Sequence, residues 1–269
     1  MILVGVDGSR AGLEAAGWAA REAVLRDVPL LLAHAMPRWT YETETGRLAD
    51  VAAWMREGGR SVLTAAEERA RTQEPKVELR TTFLPDDPRA ALVEAARDAE
   101  LLVVGSHGLG GVRGMLVGSV AYGVAAHAPC DVVVVRRASA GGEIVAGADG
   151  SAATPRVLEF ACAEAALRGA RLRVVHVRGR QGFDPVHEES GAIKVMLNGL
   201  RARHPGLEVV EEAVHGHPVE VLRQAGAGAE LLVVGSHGHR TFAGMLLGSV
   251  SHALLHHAPC PLAVVRPAQ

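Results

Sequence analysis

Two stretches of the chain share one spacing of glycine and serine. They are Gly105, Gly108, Gly118 and Ser119 in the first half, and Gly235, Gly238, Gly248 and Ser249 in the second. Both follow G-x2-G-x9-G-S, and both grow out of the same ten letters, AELLVVGSHG, at 99–108 and again at 229–238. Glycine permits positive φ and lets a ligand approach the main chain, so amide N–H groups can turn toward an anion. The final Gly-Ser opens a helix in each case. The first amides of a helix lack intrahelical partners, and its dipole favours negative charge there. The serine hydroxyl suits a helix cap or a bond to a phosphate oxygen. Such a set implies capture of a polyphosphate by main-chain donors. It is not the lysine-bearing loop of common nucleotide hydrolases, since Lys76 and Lys194 are the chain's two lysines and both lie elsewhere. Nor is it the dinucleotide fingerprint, because the turn after the first strand is Asp-Gly-Ser.

The elements that must hold these loops are themselves duplicated. ILVGVDGS at 2–9 returns as IVAGADGS at 144–151, which aligns Asp7 with Asp149. LLAHAM at 31–36 returns as LRVVHV at 172–177, which aligns His34 with His176. The second copy is shorter by about a dozen residues, lost from the polar stretch PRWTYETETGRLADVAAWMREGG, where deletion is tolerated. The expected units are residues 1–140 and 141–269, joined through ASAGGE at 138–143.

Within the first unit, a strand over about 2–6 leads to a helix over 10–26. Ser9 is its N-cap, and Leu13, Ala16, Ala20 and Val24 mark its apolar face; Ser151 suits the same job in the second unit. A buried strand follows at 30–35, then KVELRTTF as an edge strand, a helix begun by Pro88, the strand ELLVV, a helix from Gly118 to about Ala128, and DVVVVR. The fold class is therefore α/β: two doubly wound, Rossmann-like five-stranded parallel sheets with helices on both faces. Ligands of such sheets sit beyond the carboxyl ends of the strands where the winding reverses, and each Asp-Gly-Ser and each GSHG stands at such an end.

Composition narrows the function classes. With 48% hydrophobic and 22% charged residues the chain has ample material for cores, and a net charge of −2 attracts neither nucleic acid nor anionic membrane. Aromatic content of 3% argues against base-stacking platforms. Three cysteines do not make a disulfide framework and read as small buried apolar groups. MILVGVDGS reads as a first strand and not as a leader, so the cytoplasm is the expected compartment.

On the strength of VGVDGS/AGADGS, the strand-two histidines, VVGSHG, LxGSV and APC before a last aliphatic strand, the chain resembles a tandem universal stress protein along its whole length. That resemblance implies strand order 3-2-1-4-5 and pairing of units along the fifth strand, here between DVVVVR and PLAVVR inside one chain, with a homodimer also open. It implies a regulatory or stress-response protein that binds ATP, with or without magnesium, with AMP or cyclic AMP as alternatives. By the same resemblance Asp7 and Asp149 lie at the adenosine end, and Ala35 and Val177 offer backbone groups to the adenine. Val104 and Gly105, with Val234 and Gly235, line the ribose and α-phosphate. Gly108, Gly118, Ser119 and Val120, with Gly238, Gly248, Ser249 and Val250, hold the phosphates. Ser251 is a further polar contact that Ala121 lacks in the first copy.

Other residues invite simpler readings. His107 and His237, inside the cradle, either meet a phosphate or, as the simpler reading, are loop filler, and His34 and His176 are packed core residues. His127 and His257 complement helix C-terminal dipoles. Arg113 and the pair His239-Arg240 either reach the phosphates or are solvated. The HGH at 215–217 lacks the cysteine or carboxylate spacing of a metal site. Neither glycine loop contains an Asp/Glu base or a lysine, so the chain is expected to be no enzyme, with at most slow hydrolysis. The alternatives are a slow nucleotide hydrolase or transferase and a nucleotide-free interaction scaffold.

Overall fold

The aliphatic runs ILVG, LLVVG and DVVVV become the centre of a parallel sheet because they carry side chains that can be buried on both faces. In the computed structural model, which describes residues 1–108, 117–136, 142–178, 186–238 and 246–267, the chain divides into two units, Met1–Arg136 and Arg137–Gln269. The first runs β1 (Ile2–Gly5), α1 (Arg10–Arg26), β2 (Leu30–Met36), α2 (Trp39–Glu42), α3 (Ala49–Gln73), β3 (Leu79–Pro85), α4 (Pro88–Ala95), β4 (Leu101–Gly105), α5 (Ser119–His127) and β5 (Asp131–Val135). The second runs β6 (Glu143–Ala148), α6 (Thr154–Arg168), β7 (Arg171–Arg178), α7 (Val186–Arg203), β8 (Val209–His215), α8 (Pro218–Ala225), β9 (Leu231–Gly235), α9 (Ser249–His257) and β10 (Leu262–Val265).

Strand order in the first unit is β3-β2-β1-β4-β5, and in the second β8-β7-β6-β9-β10. Both are the expected 3-2-1-4-5, and their pairs are parallel. Helices cover both faces. His34, Met36 and Phe83 face Gly59 of α3, whereas Gly5, on the other face, meets Leu92 of α4. The winding reverses between β1 and β4, and between β6 and β9, the position beyond whose strand ends sheets of this kind place their ligands.

The alanine-rich α1 sits close to the sheet. Ala15, Ala16, Ala19, Ala20 and Ala23 are all buried, while Val24 is 43% exposed. The buried stripe thus runs 15-16-19-20-23, and Val24 falls one position beyond it, correcting the expected face. Ser9 caps α1 as expected, its Oγ accepting from the Gly12 N–H at 3.1 Å. Ser151 does not cap α6. That helix starts later, with Ala153 as N-cap and Pro155 in its first turn, and the Thr154 N–H donates to the Ser151 carbonyl at 3.0 Å. The Ser151 hydroxyl is left buried without a hydrogen-bond partner. Among the described residues no helix is long and apolar enough to cross a membrane.

Cys162 and Cys260 are buried, as expected, but Cys130 is half-buried between α5 and β5. Burial pushes the Cys260 thiol up to about 12. It stays protonated in the folded state at pH values where an unfolded thiol ionises, so its contribution to stability is lost as pH rises above the ordinary thiol value. Iodoacetamide at pH 8 is expected to label Cys130 in the native protein. Cys162 and Cys260 should react only after denaturation, as mass spectrometry of the peptides would show. Native labelling of Cys260 at the rate of a free thiol would contradict this burial.

Candidate functional site

The first wall of the crevice is the turn between β1 and α1. Asp7 Oδ1 accepts from the Ser9 N–H at 3.0 Å, an Asx-type turn that Gly8 completes with φ 80°. Ser9 Oγ donates to the His107 carbonyl at 3.1 Å and so ties the turn to the loop after β4. Close backbone approach reinforces the tie. A Cβ on Gly105 would lie 2.5 Å from the Ala11 carbonyl carbon and 2.7 Å from the Gly12 nitrogen, which only glycine avoids. A Cβ on Gly108 would collide with Asp7 Oδ2, so the carboxylate rests on the glycine loop itself.

The second wall is the start of α5. The Ser106 N–H donates to Val135 O at 2.8 Å, and Ser106 O accepts from the Gly118 N–H at 2.7 Å, which fixes the helix start against β4 and β5. Gly118 is the N-cap, and no side chain caps the helix. Its φ of −75° and ψ of 153° suit any residue. A Cβ there would meet nothing nearer than 3.5 Å. Gly118 therefore differs in kind from Gly105 and Gly108. The Ala11 backbone demands glycine at Gly105, and a side chain at Gly108 would have to displace the Asp7 carboxylate, but here the missing side chain merely leaves the first-turn amides accessible. Ser119 is exposed and Val120 half-exposed at this opening.

The second unit repeats both walls. Asp149 Oδ1 accepts from the Ser151 N–H at 3.0 Å and from Thr154 Oγ1 at 3.1 Å, and a Cβ on Gly238 would collide with Asp149 Oδ2. The Ser236 N–H donates to Val265 O at 2.9 Å, and Ser236 O accepts from the Gly248 N–H at 2.7 Å. Gly248, the uncapped N-cap of α9, has φ −65° and would carry a Cβ with no contact nearer than 3.4 Å. Ser249 is exposed and Val250 half-exposed.

Each crevice thus sets an acceptor wall, the Asp carboxylate, against a donor wall, the uncapped helix start. An anion belongs at the donor wall. The acceptor wall suits hydroxyl or amino hydrogens and repels phosphate. Val104 and Val234 are buried just before the glycine loops, and Ala35 and Val177 lie half-exposed at the carboxyl ends of β2 and β7. Arg113, His239 and Arg240 lie outside the described residues.

His34, expected as a packed core residue, is only half-buried. His34 Nδ1 lies 2.8 Å from Val6 O, and since a carbonyl only accepts, the ring donates and steadies the β1 end beside Asp7. His176 is buried. His127 Nδ1 donates to Gly123 O at 2.9 Å in the last turn of α5. His107 and His237 rings meet the Oγ of Ser106 and Ser236 at 2.7 and 3.2 Å. The HGH stretch closes β8 and leads into α8, with His217 as its N-cap, and among the described residues no group of three or more metal-type ligands occurs.

Ser251 corrects its assignment. Its Oγ is buried and donates to Ser236 O and Gly248 O, both at 3.0 Å, so it anchors the start of α9 and does not face a ligand. The sequence reading also missed the Ser9–His107 tie and a buried charge cluster under α6. There Arg168 meets Glu164 at 2.7 Å and Glu230 at 3.0 Å. The signal was present in the repeat, because Glu22 and Arg26 pair at the same positions of α1.

Two copies of a doubly wound α/β unit, each with a paired donor and acceptor wall at its switch point, define a tandem α/β protein. The universal stress protein family matches residues 1–136 and again 142–266, and the chain belongs to that family. It is 33% identical over 284 residues to a universal stress protein of Mycobacterium tuberculosis, covering 98% of this chain and 96% of that protein. The crystal structure of a universal stress protein from Archaeoglobus fulgidus shares the fold, with a TM-score of 0.76 at 20% identity over 99% of this chain and 98% of that one. A universal stress protein crystallised in complex with cAMP is 30% identical, covering 50% of this chain and 94% of that chain, with a TM-score of 0.38.

Proposed function

We propose that the protein binds adenine nucleotide, ATP foremost, at one crevice in each unit and acts as a cytoplasmic regulator in a stress response, not as an enzyme. The observation that carries this reading is the pair Gly118 and Gly248. Both stand at helix N-caps where geometry admits any residue, and at both the side chain that would cap the helix is missing. The amides of Ser119, Val120, Ser249 and Val250 would hold the phosphates, with Gly108 and Gly238 beneath them. Asp7 and Asp149 would accept hydrogens from the nucleoside, with Ala35 and Val177 beside the adenine. The ATP would bind with or without magnesium. Pairing of β5 with β10 inside the chain, or between chains in a homodimer, belongs to the same reading.

Neither glycine loop carries an Asp/Glu base or a lysine, and Asp7 and Asp149 would be engaged at the nucleoside end, so hydrolysis is expected to be at most slow and incidental. Equilibrium dialysis with labelled ATP is expected to give two sites per chain. Product analysis should show release of intact ATP far outpacing cleavage. Sustained turnover of many cycles per second would overturn the non-enzymatic reading, and no binding at millimolar ATP would overturn the function itself.

A further inference from the structure

Helix α9 carries histidines at two places where its duplicate α5 has none. His252 and His256 stand four residues apart and so share one helix face, whereas the matching positions of α5 hold Tyr122 and Ala126. His252 is exposed and His256 half-buried, so a solute can reach the pair. Their ring centroids lie 5.2 Å apart, with the planes inclined at 66°. A tetrahedral ion held at about 2.0–2.1 Å by one nitrogen of each ring requires centroids about 5 Å apart, whereas a square-planar ion would need about 4.5 Å. The adjacent pair, His256 and His257, is wider at 6.2 Å, and a step of one residue turns His257 about 100° round the helix. Imidazole suits zinc-like ions, whereas magnesium takes oxygen ligands. Neither His252 nor His256 is among the residues assigned to the nucleotide.

We propose that His252 and His256 form a two-point site for a tetrahedral divalent ion of the zinc class, with water in the remaining positions. One helix carries both imidazoles, so after the first has bound the second is presented at high effective concentration. Half the ligand set of a structural zinc site corresponds to a Kd of about 1–100 μM. The test is calorimetric titration of zinc ion into the metal-stripped full-length chain, without nucleotide and with thiols kept reduced. One saturable site in that range is expected. His252→Gln or His256→Gln alone should weaken it at least about tenfold, because either breaks the chelate. His257→Gln, Cys130→Ser and the double change His215→Gln with His217→Gln should each leave it within about twofold, and magnesium ion should give no binding heat. Should either chelate variant fold poorly, the ring resonances of His252 and His256 in the unsubstituted 15N-labelled chain decide the matter, since they must shift first as zinc is added. Zinc binding that survives both single changes within twofold, or that is lost instead with Cys130 or the His215 and His217 pair, would show adventitious capture elsewhere and overturn the inference. Absence of saturable binding at about 1 mM zinc would overturn it as well.

Discussion

Aspartate at both helix-opening glycines, Gly118→Asp with Gly248→Asp, is expected to abolish nucleotide binding while the melting temperature holds or rises by about 2–4 °C. The two effects have one cause. Asp is among the best N-cap residues, and its carboxylate would take the first-turn N–H groups that α5 and α9 leave uncapped. The cap should add about 0.5 kcal/mol over glycine, with a similar gain from a negative charge at the positive end of the helix dipole. The backbone at both positions already has cap geometry, and each Cβ fits. For a phosphate the same change is doubly adverse, because donors are lost and a like charge appears. Hydrogen bonds to charged groups contribute about 1.5–3 kcal/mol each, so losing two corresponds to at least about a hundredfold in affinity. Thermal unfolding measured beside ATP binding checks both signs at once. A protein that loses stability and binding together would show these glycines to be structural, as Gly105 is.

Arg168→Ala is expected to be the most destabilising single change outside the crevices. Glu164 and the Arg168 side chain are almost fully buried, and the Glu230 side chain is 7% exposed. Removing the arginine leaves two buried carboxylates without the cation between them. Breaking a buried ion pair in this way costs about 3–5 kcal/mol. The urea midpoint of the second unit should fall accordingly, and Glu230→Gln added to Arg168→Ala should recover part of the loss by removing one of the stranded charges. The matching change Arg26→Ala removes a more exposed guanidinium from one buried carboxylate, Glu22, so its cost should be smaller. A loss below about 1 kcal/mol for Arg168→Ala would show that the cluster is solvated or protonated and not a charged core feature.

Much of this architecture was legible because it is written twice. The repeat, the continuous aliphatic runs of β1, β4 and β5 and the glycine spacing sufficed for two doubly wound sheets with crevices beyond the strand ends. What the sequence hid were consequences of side-chain direction. Ser251 looked like a ligand contact because its type and place suited one, yet its hydroxyl turns back onto Ser236 and Gly248. Ser151 and Ser9 share a motif, but Pro155 enters the first turn of α6 and the later start of that helix leaves Ser151 without a cap to make. Val24 fits a helical stripe by spacing and still projects outward, because alanines at 15, 16, 19, 20 and 23 define a tighter contact line. The difference between a glycine the fold needs and one it merely permits is not readable from letters. Gly105, with the Ala11 backbone against it, and Gly118, with room for a side chain, look alike in the motif.

The central claim is that main-chain amides at two helix starts receive the nucleotide's phosphates, and backbone amide chemical shifts report on those atoms directly. Titrating ATP into uniformly 15N-labelled protein should move the Ser119, Val120, Ser249 and Val250 resonances furthest, in saturable fashion, while amides at the opposite ends of the strands stay in place. If those four resonances remain fixed at millimolar ATP, or move no more than the rest of the surface, the helix starts are not the phosphate site and the account is wrong.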